Sequence, residues 1–321
     1  MNLLVCASGH AADAKSTPAT TDEDITDQEL RNVWLSGLYS MELDHLKDAQ
    51  RKFAFVIARN PPWLARAFEN RAIVYEKIGH EDLAKKDFEV ALKLYNQEVR
   101  DHPNSTEPLL RRAEYWERKN NPEARIQDLS KAIALEPDNT ALLQVRINAW
   151  NDLLRPDQAL ADLSRLIKLQ PEEPDPLLAR AELARKQNKN SLAIADYTKA
   201  IALSPNLFQA YLGRAEIHLE SGQEEKALAD LDRAVKIQPD SAKAHYNRGI
   251  ILQGKEQYPA SLAAFEKAIA LEPDQVETLL RRGMVLIKLG RSQAALADFD
   301  RILTLQPGHA LATMYRQQVV K

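Results

Sequence analysis

The sequence lacks several features that define common protein classes. Its one cysteine, Cys6, cannot form an internal disulfide, and its seven histidines have no cysteine or histidine partners at the spacings of a zinc site. Glycine is scarce, at 10 of 321 residues, and neither a phosphate-binding loop nor a dinucleotide fingerprint occurs. We therefore expect no disulfide framework, no structural metal and no cofactor.

Charge and hydropathy make two further classes poor candidates. The formal net charge is only −3, and no long block of lysine or arginine could follow a phosphate backbone, so we do not expect nucleic-acid binding. No apolar run approaches the roughly 20 residues that a membrane-spanning helix needs. Alanine and leucine dominate instead, and both favour helices because they lose little rotamer freedom there.

One phrase recurs at multiples of a fixed period. KAIALEPD stands at residues 131–138 and 267–274, and a shortened copy, KAIALSP, begins at Lys199. Proline removes a backbone donor and pushes the preceding residue out of the helical region, so a recurring proline marks a recurring helix end. Seven prolines stand 34 residues apart without a slip: Pro103, Pro137, Pro171, Pro205, Pro239, Pro273 and Pro307.

The rest of the unit emerges by counting back from each proline. A large apolar residue, such as Leu129 or Phe265, stands eight residues before it, and small residues, such as Ala159 or Gly249, are usual twelve and twenty-four before it. Small residues let two helices approach closely, while the large residue fills the space beside them. Helix breakers such as ESGQE at 220–224 lie between the two helices. The unit is therefore helix, turn, helix, proline.

This pattern resembles the tetratricopeptide repeat family, whose 34-residue unit has small residues in both helices, an aromatic in the second helix and a closing proline. The resemblance covers residues 30–309 and implies an all-α fold, a right-handed α-solenoid of about eight repeats. The tail, residues 310–321, resembles the polar capping helix that such arrays need. The frame places the repeat starts at Leu30, Ala65, Thr106, Thr140, Pro174, Phe208, Ala242 and Val276.

The first fourteen residues carry an incomplete export signal. A short apolar stretch at residues 3–7 precedes Ala12, Asp13 and Ala14, which fit a signal-peptidase site. The positive charge and longer apolar segment of a full leader are missing, as expected if Met1 is a late start. We predict that residues 1–14 are a truncated signal peptide, that 15–29 form a disordered linker and that the protein is periplasmic or secreted. A cytoplasmic location and lipid attachment at the cysteine are the alternatives.

Arginine and aspartate recur in register. An aspartate stands nine residues before the proline slot in all but one repeat from the second onward, where Ala264 replaces it. The arginine and aspartate positions lie eight residues on either side of the turn, so antiparallel helices bring them to the same height. We predict hairpin ion pairs rather than an anion-binding stripe, with Arg248 borrowing a neighbouring aspartate or staying free. Arginine stands twenty-five before the slot, as Arg71, Arg112, Arg146, Arg180, Arg214, Arg248 and Arg282.

Two repeats depart from the pattern. The second carries Asn96 in its proline slot and has seven extra residues before the next proline. We expect Tyr95 and Val99 of this longer helix to pack on the third repeat, and a contact edge for a partner is the alternative. The fourth repeat has Ile147 and Leu166 where its neighbours keep small residues, so we expect its helices to lie farther apart.

The resemblance also implies a function. In this family the first helices line a concave groove that holds an extended peptide or a partner helix. We expect a non-enzymatic scaffold, an assembly or adaptor factor of the bacterial periplasm, which binds an amphipathic, somewhat basic segment of another protein. A regulatory subunit of a separate catalytic chain is the alternative, and the groove leucines could instead pack against neighbouring repeats. The partner-binding residues carried over are Leu178, Glu182, Leu212, Glu216, Tyr246, Asn247, Ile250, Leu280 and Met284.

Overall fold

The computed structural model describes residues 26–61 and 63–320, and its regular structure within them is entirely helical. The predicted leader, and the linker as far as residue 25, lie outside the described residues. The seventeen helices are α1 (Asp27–Glu42), α2 (Leu46–Ile57), α3 (Leu64–Lys77), α4 (Glu81–Asp101), α5 (Thr106–Arg118), α6 (Pro122–Leu135), α7 (Thr140–Asp152), α8 (Pro156–Leu169), α9 (Pro174–Lys186), α10 (Asn190–Leu203), α11 (Phe208–Glu220), α12 (Glu224–Ile237), α13 (Ala242–Gly254), α14 (Tyr258–Leu271), α15 (Val276–Lys288), α16 (Ser292–Leu305) and α17 (Ala310–Val320).

Among the described residues, the first sixteen helices follow one another as eight helix-turn-helix repeats, and α17 comes after them. The predicted all-α solenoid is thereby confirmed. From the third repeat onward the first helices begin at the predicted residues, whereas α1 begins at Asp27 rather than Leu30 and α3 at Leu64 rather than Ala65. The described residues fall into two compact units, one up to residue 115 and one from residue 116 onward, which we describe separately.

The turns between the two helices of each repeat share one backbone conformation. The residue two positions after the first helix of every repeat is in the left-handed region, and the amide of the residue that follows it donates to a helix carbonyl. Gln223 N–H, for instance, donates to the His218 carbonyl at 2.7 Å. Glycine and asparagine tolerate this conformation best. The residues are Asp44, Gly79, Asn120, Leu154, Asn188, Gly222, Glu256 and Gly290, with φ between 50° and 80°.

The hairpin cores of the seventh and eighth repeats pair a small residue of the first helix with a large residue of the second. A Cβ added to Gly249 would lie 2.6 Å from Cε1 of Phe265, and one added to Gly283 would lie 2.6 Å from Cε1 of Phe299. Both rings are fully buried. The predicted pairing of small and large positions is therefore present, and its spacing leaves no room for a methyl group.

The long helix α4 is packed within the first unit. Tyr95 is fully buried, and its ring lies 5.8 Å from that of Tyr115 on α5, the first helix of the third repeat. Its hydroxyl donates to Oε2 of the buried Glu69 at 2.7 Å. Tyr95 therefore packs on the third repeat, as predicted, while Val99 is half-buried.

Candidate functional site

The predicted arginine and aspartate pairs are present in most repeats. Arg180, for example, donates from Nε and Nη2 to the two carboxylate oxygens of Asp196, both at 2.7 Å. Arg248, which lacks its own aspartate, donates instead to Asp232 of the preceding repeat at 2.6 Å. The equivalent pairs are Arg71 with Asp87, Arg146 with Asp162, Arg214 with Asp230 and Arg282 with Asp298.

The same arginines have a second partner that the sequence analysis missed. Nη1 of Arg180 donates at 2.8 Å to the hydroxyl of Ser164, sixteen residues earlier, on the second helix of the preceding repeat. A short polar side chain recurs at that slot, seven residues before the proline, so the signal was present in the sequence. Each such arginine therefore ties its own hairpin to the previous one. The equivalent bonds run from Arg112 to Asn96, Arg146 to Ser130, Arg214 to Thr198 and Arg316 to Asp300.

The geometry of these ion pairs indicates that they stabilise the fold and do not bind a ligand. The aspartates of the five pairs within a repeat are buried, and their hydrogen bonds raise the pKa of Arg71, Arg214 and Arg282. A guanidinium held by two carboxylate oxygens of its own chain has few donors left for a ligand. We therefore place the recognition surface elsewhere.

The apolar residues predicted to line the groove of repeats five to eight share one position. Leu178, Leu212 and Tyr246 are half-buried at the same slot of successive first helices, and each packs on the hydrophobic core with part of its side chain accessible. Ile250 and Met284 occupy the next slot in the same way.

Two predicted residues of the groove lie deeper than this row. Leu280 is only 5% exposed and Asn247 only 9%. They leave little surface for a partner to contact.

The two predicted glutamates already have cationic partners. Glu182 accepts from Arg185 at 3.1 Å and from the hydroxyl of Tyr197 at 2.5 Å. Two causes raise the pKa of Tyr197: burial is the larger, and the hydrogen bond to the Glu182 carboxylate is the second. Arg185 also lies 3.2 Å from Glu216, which Lys243 contacts at 2.5 Å. The acidic charge expected in this surface is therefore largely neutralised within the chain.

The first unit contains a hollow of about 510 Å³. Trp34 and Trp63 line it, with ring centroids 5.6 Å apart, together with Leu110. Arg66 on α3 and Glu114 on α5 also line it and form an ion pair at 2.9 Å. Sequence reasoning did not single out the tryptophans, although Trp34 stands twenty-seven residues before the proline slot at Pro61, the same position as the predicted leucines.

Comparison with known proteins gives the class of this chain. The tetratricopeptide repeat family model matches residues 152–208, 178–242 and 246–310. The chain belongs to the tetratricopeptide repeat family, whose solenoids are generally non-catalytic scaffolds that use extended concave surfaces for binding. A search of curated proteins found none that matches.

Solved structures share the fold at low identity. YrrB, described as a tetratricopeptide repeat protein with an unusual peptide-binding site, has a TM-score of 0.52 at 17% identity, over 59% of this chain and 97% of that one. PilF of Pseudomonas aeruginosa has a TM-score of 0.53 at 11% identity, over 66% and 97%. A double mutant of MamA from strain RS-1 has a TM-score of 0.50 at 22% identity, over 53% and 96%.

Two other kinds of site are absent from the part of the chain that the structure describes. There, no helix is long and apolar enough to cross a membrane. In the same residues, no group of three or more histidine, cysteine, aspartate or glutamate side chains is arranged to hold a metal ion.

Proposed function

We propose that the chain is a protein-binding scaffold whose first helices in repeats five to eight hold an amphipathic segment of a partner protein. The observation that carries this proposal is the repeated, half-buried apolar slot formed by Leu178, Leu212 and Tyr246. Each side chain is anchored on the core and keeps one face accessible, which is the arrangement of an interface hot spot. The peptide-binding site described for YrrB is in keeping with this proposal.

The charge of the proposed partner follows from the two glutamates. The Glu216 carboxylate is mostly buried, whereas the Lys243 side chain that contacts it is 61% exposed. An exposed lysine is held weakly, so a lysine or arginine of the partner can replace it at small cost. The partner segment is therefore apolar on one face and somewhat basic.

The proposed location is the bacterial periplasm, where the chain acts as an assembly or adaptor factor. This part of the proposal rests on the sequence of the first fourteen residues alone. Mass-spectrometric sequencing of the protein from its native cell tests it, and we expect a mature chain that begins at Lys15. A chain with Met1 intact, recovered in the cytosolic fraction, contradicts it.

The binding surface is tested by capture from native periplasmic extract with quantitative mass spectrometry. Truncation of a hot-spot anchor typically costs about 2 kcal/mol or more, so Leu212→Ala combined with Tyr246→Ala is expected to release the partner, whereas Glu182→Gln mainly changes the association rate. Leu271→Ala is the matched control, because this leucine is exposed on a second helix. Unchanged capture by the double variant contradicts the assignment, and a copurified activity that persists favours a regulatory subunit.

A further inference from the structure

The turn of the fourth repeat holds a residue that fits its conformation poorly. Leu154 has a φ of 53°, in the left-handed region, where six of the eight equivalent residues are glycine, asparagine or aspartate. Its amide donates to the Asn151 carbonyl at 3.0 Å, so the turn itself is normal. The Cβ of leucine is crowded in this region, and the conformation is therefore strained.

Packing does not compensate for this strain. Leu154 is 85% exposed, more than any other large hydrophobic residue within residues 26–61 and 63–320. The chain uses asparagine at the same slot in the flanking repeats, as Asn120 and Asn188. An exposed leucine in a strained position stabilises neither the turn nor the core, which points to a role in contact with another molecule.

The leucine stands at a hollow. A space of about 590 Å³ lies between α7 and α9, and Leu154 lines it together with Ile147, Leu163 and Leu183. This volume is within the roughly 300–1,000 Å³ range of ligand pockets. Ile147 occupies a slot that is alanine or glycine in most repeats, so the fourth repeat adds apolar surface here.

Hydrogen-bonding groups on α7 surround the apolar surface. Gln144, Asn148 and Asn151 line the hollow, and each amide side chain offers both donors and an acceptor. Their only bond to one another in the described residues is a long one, 3.5 Å from Gln144 to Asn148. Such groups can bond the backbone of an extended peptide.

The charges at the hollow favour an acidic ligand. Arg155 and Lys186 line it, and neither has an ion pair among the described residues. Glu182, which also lines it, is bonded to Arg185 and Tyr197. Two unpaired cations beside one neutralised carboxylate give a positive local potential, which attracts carboxylates and disfavours lysine and arginine.

We propose that this hollow, on repeats four and five, binds an extended peptide that presents a bulky apolar side chain beside acidic side chains. The apolar side chain contacts Leu154, Ile147 and Leu183, and the carboxylates lie between Arg155 and Lys186. The site goes beyond the proposed function, because it adds the fourth repeat, which the proposed surface does not include, and selects the opposite charge. The strained leucine is kept for this contact at the expense of stability.

The test uses three fluorescently labelled, C-terminally amidated peptides and fluorescence anisotropy with the full chain. The first has phenylalanine flanked by aspartate and glutamate, the second replaces the phenylalanine by serine, and the third has phenylalanine flanked by lysine. Amidation removes the terminal carboxylate, so binding reports side chains. We expect the first peptide to bind at least about tenfold more tightly than the others. Equal binding of the first and third peptides overturns the charge assignment.

Variants separate this role from a structural one. Leu154→Asn places the residue of the flanking repeats in the turn, so we expect it to raise the midpoint of urea denaturation while it weakens binding of the first peptide about tenfold. The reciprocal Asn188→Leu is the matched control: it lowers the midpoint and leaves binding unchanged. Lys186→Gln weakens binding and its salt dependence, and Tyr246→Ala does not. Unchanged peptide binding by Leu154→Asn overturns the proposal.

Discussion

Replacing Gly249 by alanine tests the packing rule of the hairpin core. The added methyl carbon would lie 2.6, 2.7 and 2.9 Å from three ring carbons of Phe265. Carbon atoms attract best at about 3.5–4.0 Å, so the ring or the helix must move by roughly 1 Å. Neither has room, since the ring is fully buried and the Ser261 hydroxyl, also buried, ties α14 to the Gly249 carbonyl at 2.8 Å.

Two effects oppose each other in this variant. Overpacking a fixed core costs about 1–3 kcal/mol, whereas glycine to alanine within a helix gains about 1 kcal/mol of intrinsic propensity. Because the clash involves three ring atoms, we expect overpacking to win. The net loss should be about 1–2 kcal/mol of unfolding free energy, measured by urea denaturation with far-ultraviolet circular dichroism.

A second substitution identifies the cause. Phe265→Leu in the Gly249→Ala background recreates the pair that the sixth repeat uses, Ala215 with Leu231, so the double variant should recover about 1 kcal/mol relative to the sum of the single changes. Gly254→Ala is the control, because its added methyl carbon would meet only a Glu224 side-chain atom at 3.6 Å. A Gly249→Ala protein as stable as the wild type would refute the reasoning.

Two further predictions concern buried polar groups. Asp196→Ala should lower the free energy of unfolding by about 2 kcal/mol, because the aspartate is only 4% exposed and its loss leaves Arg180 with one partner fewer. Urea denaturation measures this loss, and partner binding should be unchanged. Burial lowers the pKa of His218 from its usual 6.5, so the unfolded chain takes up the proton first and stability falls as the pH drops below that value. His218→Gln should flatten this fall between about pH 7.5 and about pH 5.5, and an equally steep fall in that variant contradicts the assignment.

The sequence predicted the repeated architecture well because each repeat specifies the same local events. Proline ends the second helix, and small and large residues set the distance between the two helices. The Arg248 exception was predictable too, because the missing aspartate at Ala264 left an arginine whose charge needed a partner. The start of α1 was missed by three residues, since no proline fixes the phase upstream of the first repeat.

The candidate sites were less predictable, because exposure and pairing depend on neighbouring side chains. Leu280 and Leu178 occupy the same position in their repeats, yet only the structure shows that the first is buried and the second half-buried. The charge of Glu182 and Glu216 was read without Arg185, which bridges both in three dimensions. Leu154 lies at the left-handed position of its turn, and a leucine gives no signal of that conformation as glycine or asparagine does.

Arginines such as Arg180 and Arg214 each contact one side chain sixteen residues before them and another sixteen residues after them, and this spacing makes some repeats exchangeable. Deleting residues 174–207, one whole repeat, would place Arg214 against Ser164, a hydroxyl like the one it now contacts, while its own aspartate stays in place. Deleting residues 208–241 would instead leave Arg248 with the Thr198 hydroxyl and no carboxylate, because Asp232 goes with the deleted repeat. The array could therefore be shortened at the fifth repeat, whereas the sixth repeat can be lost only together with the seventh, which carries Arg248.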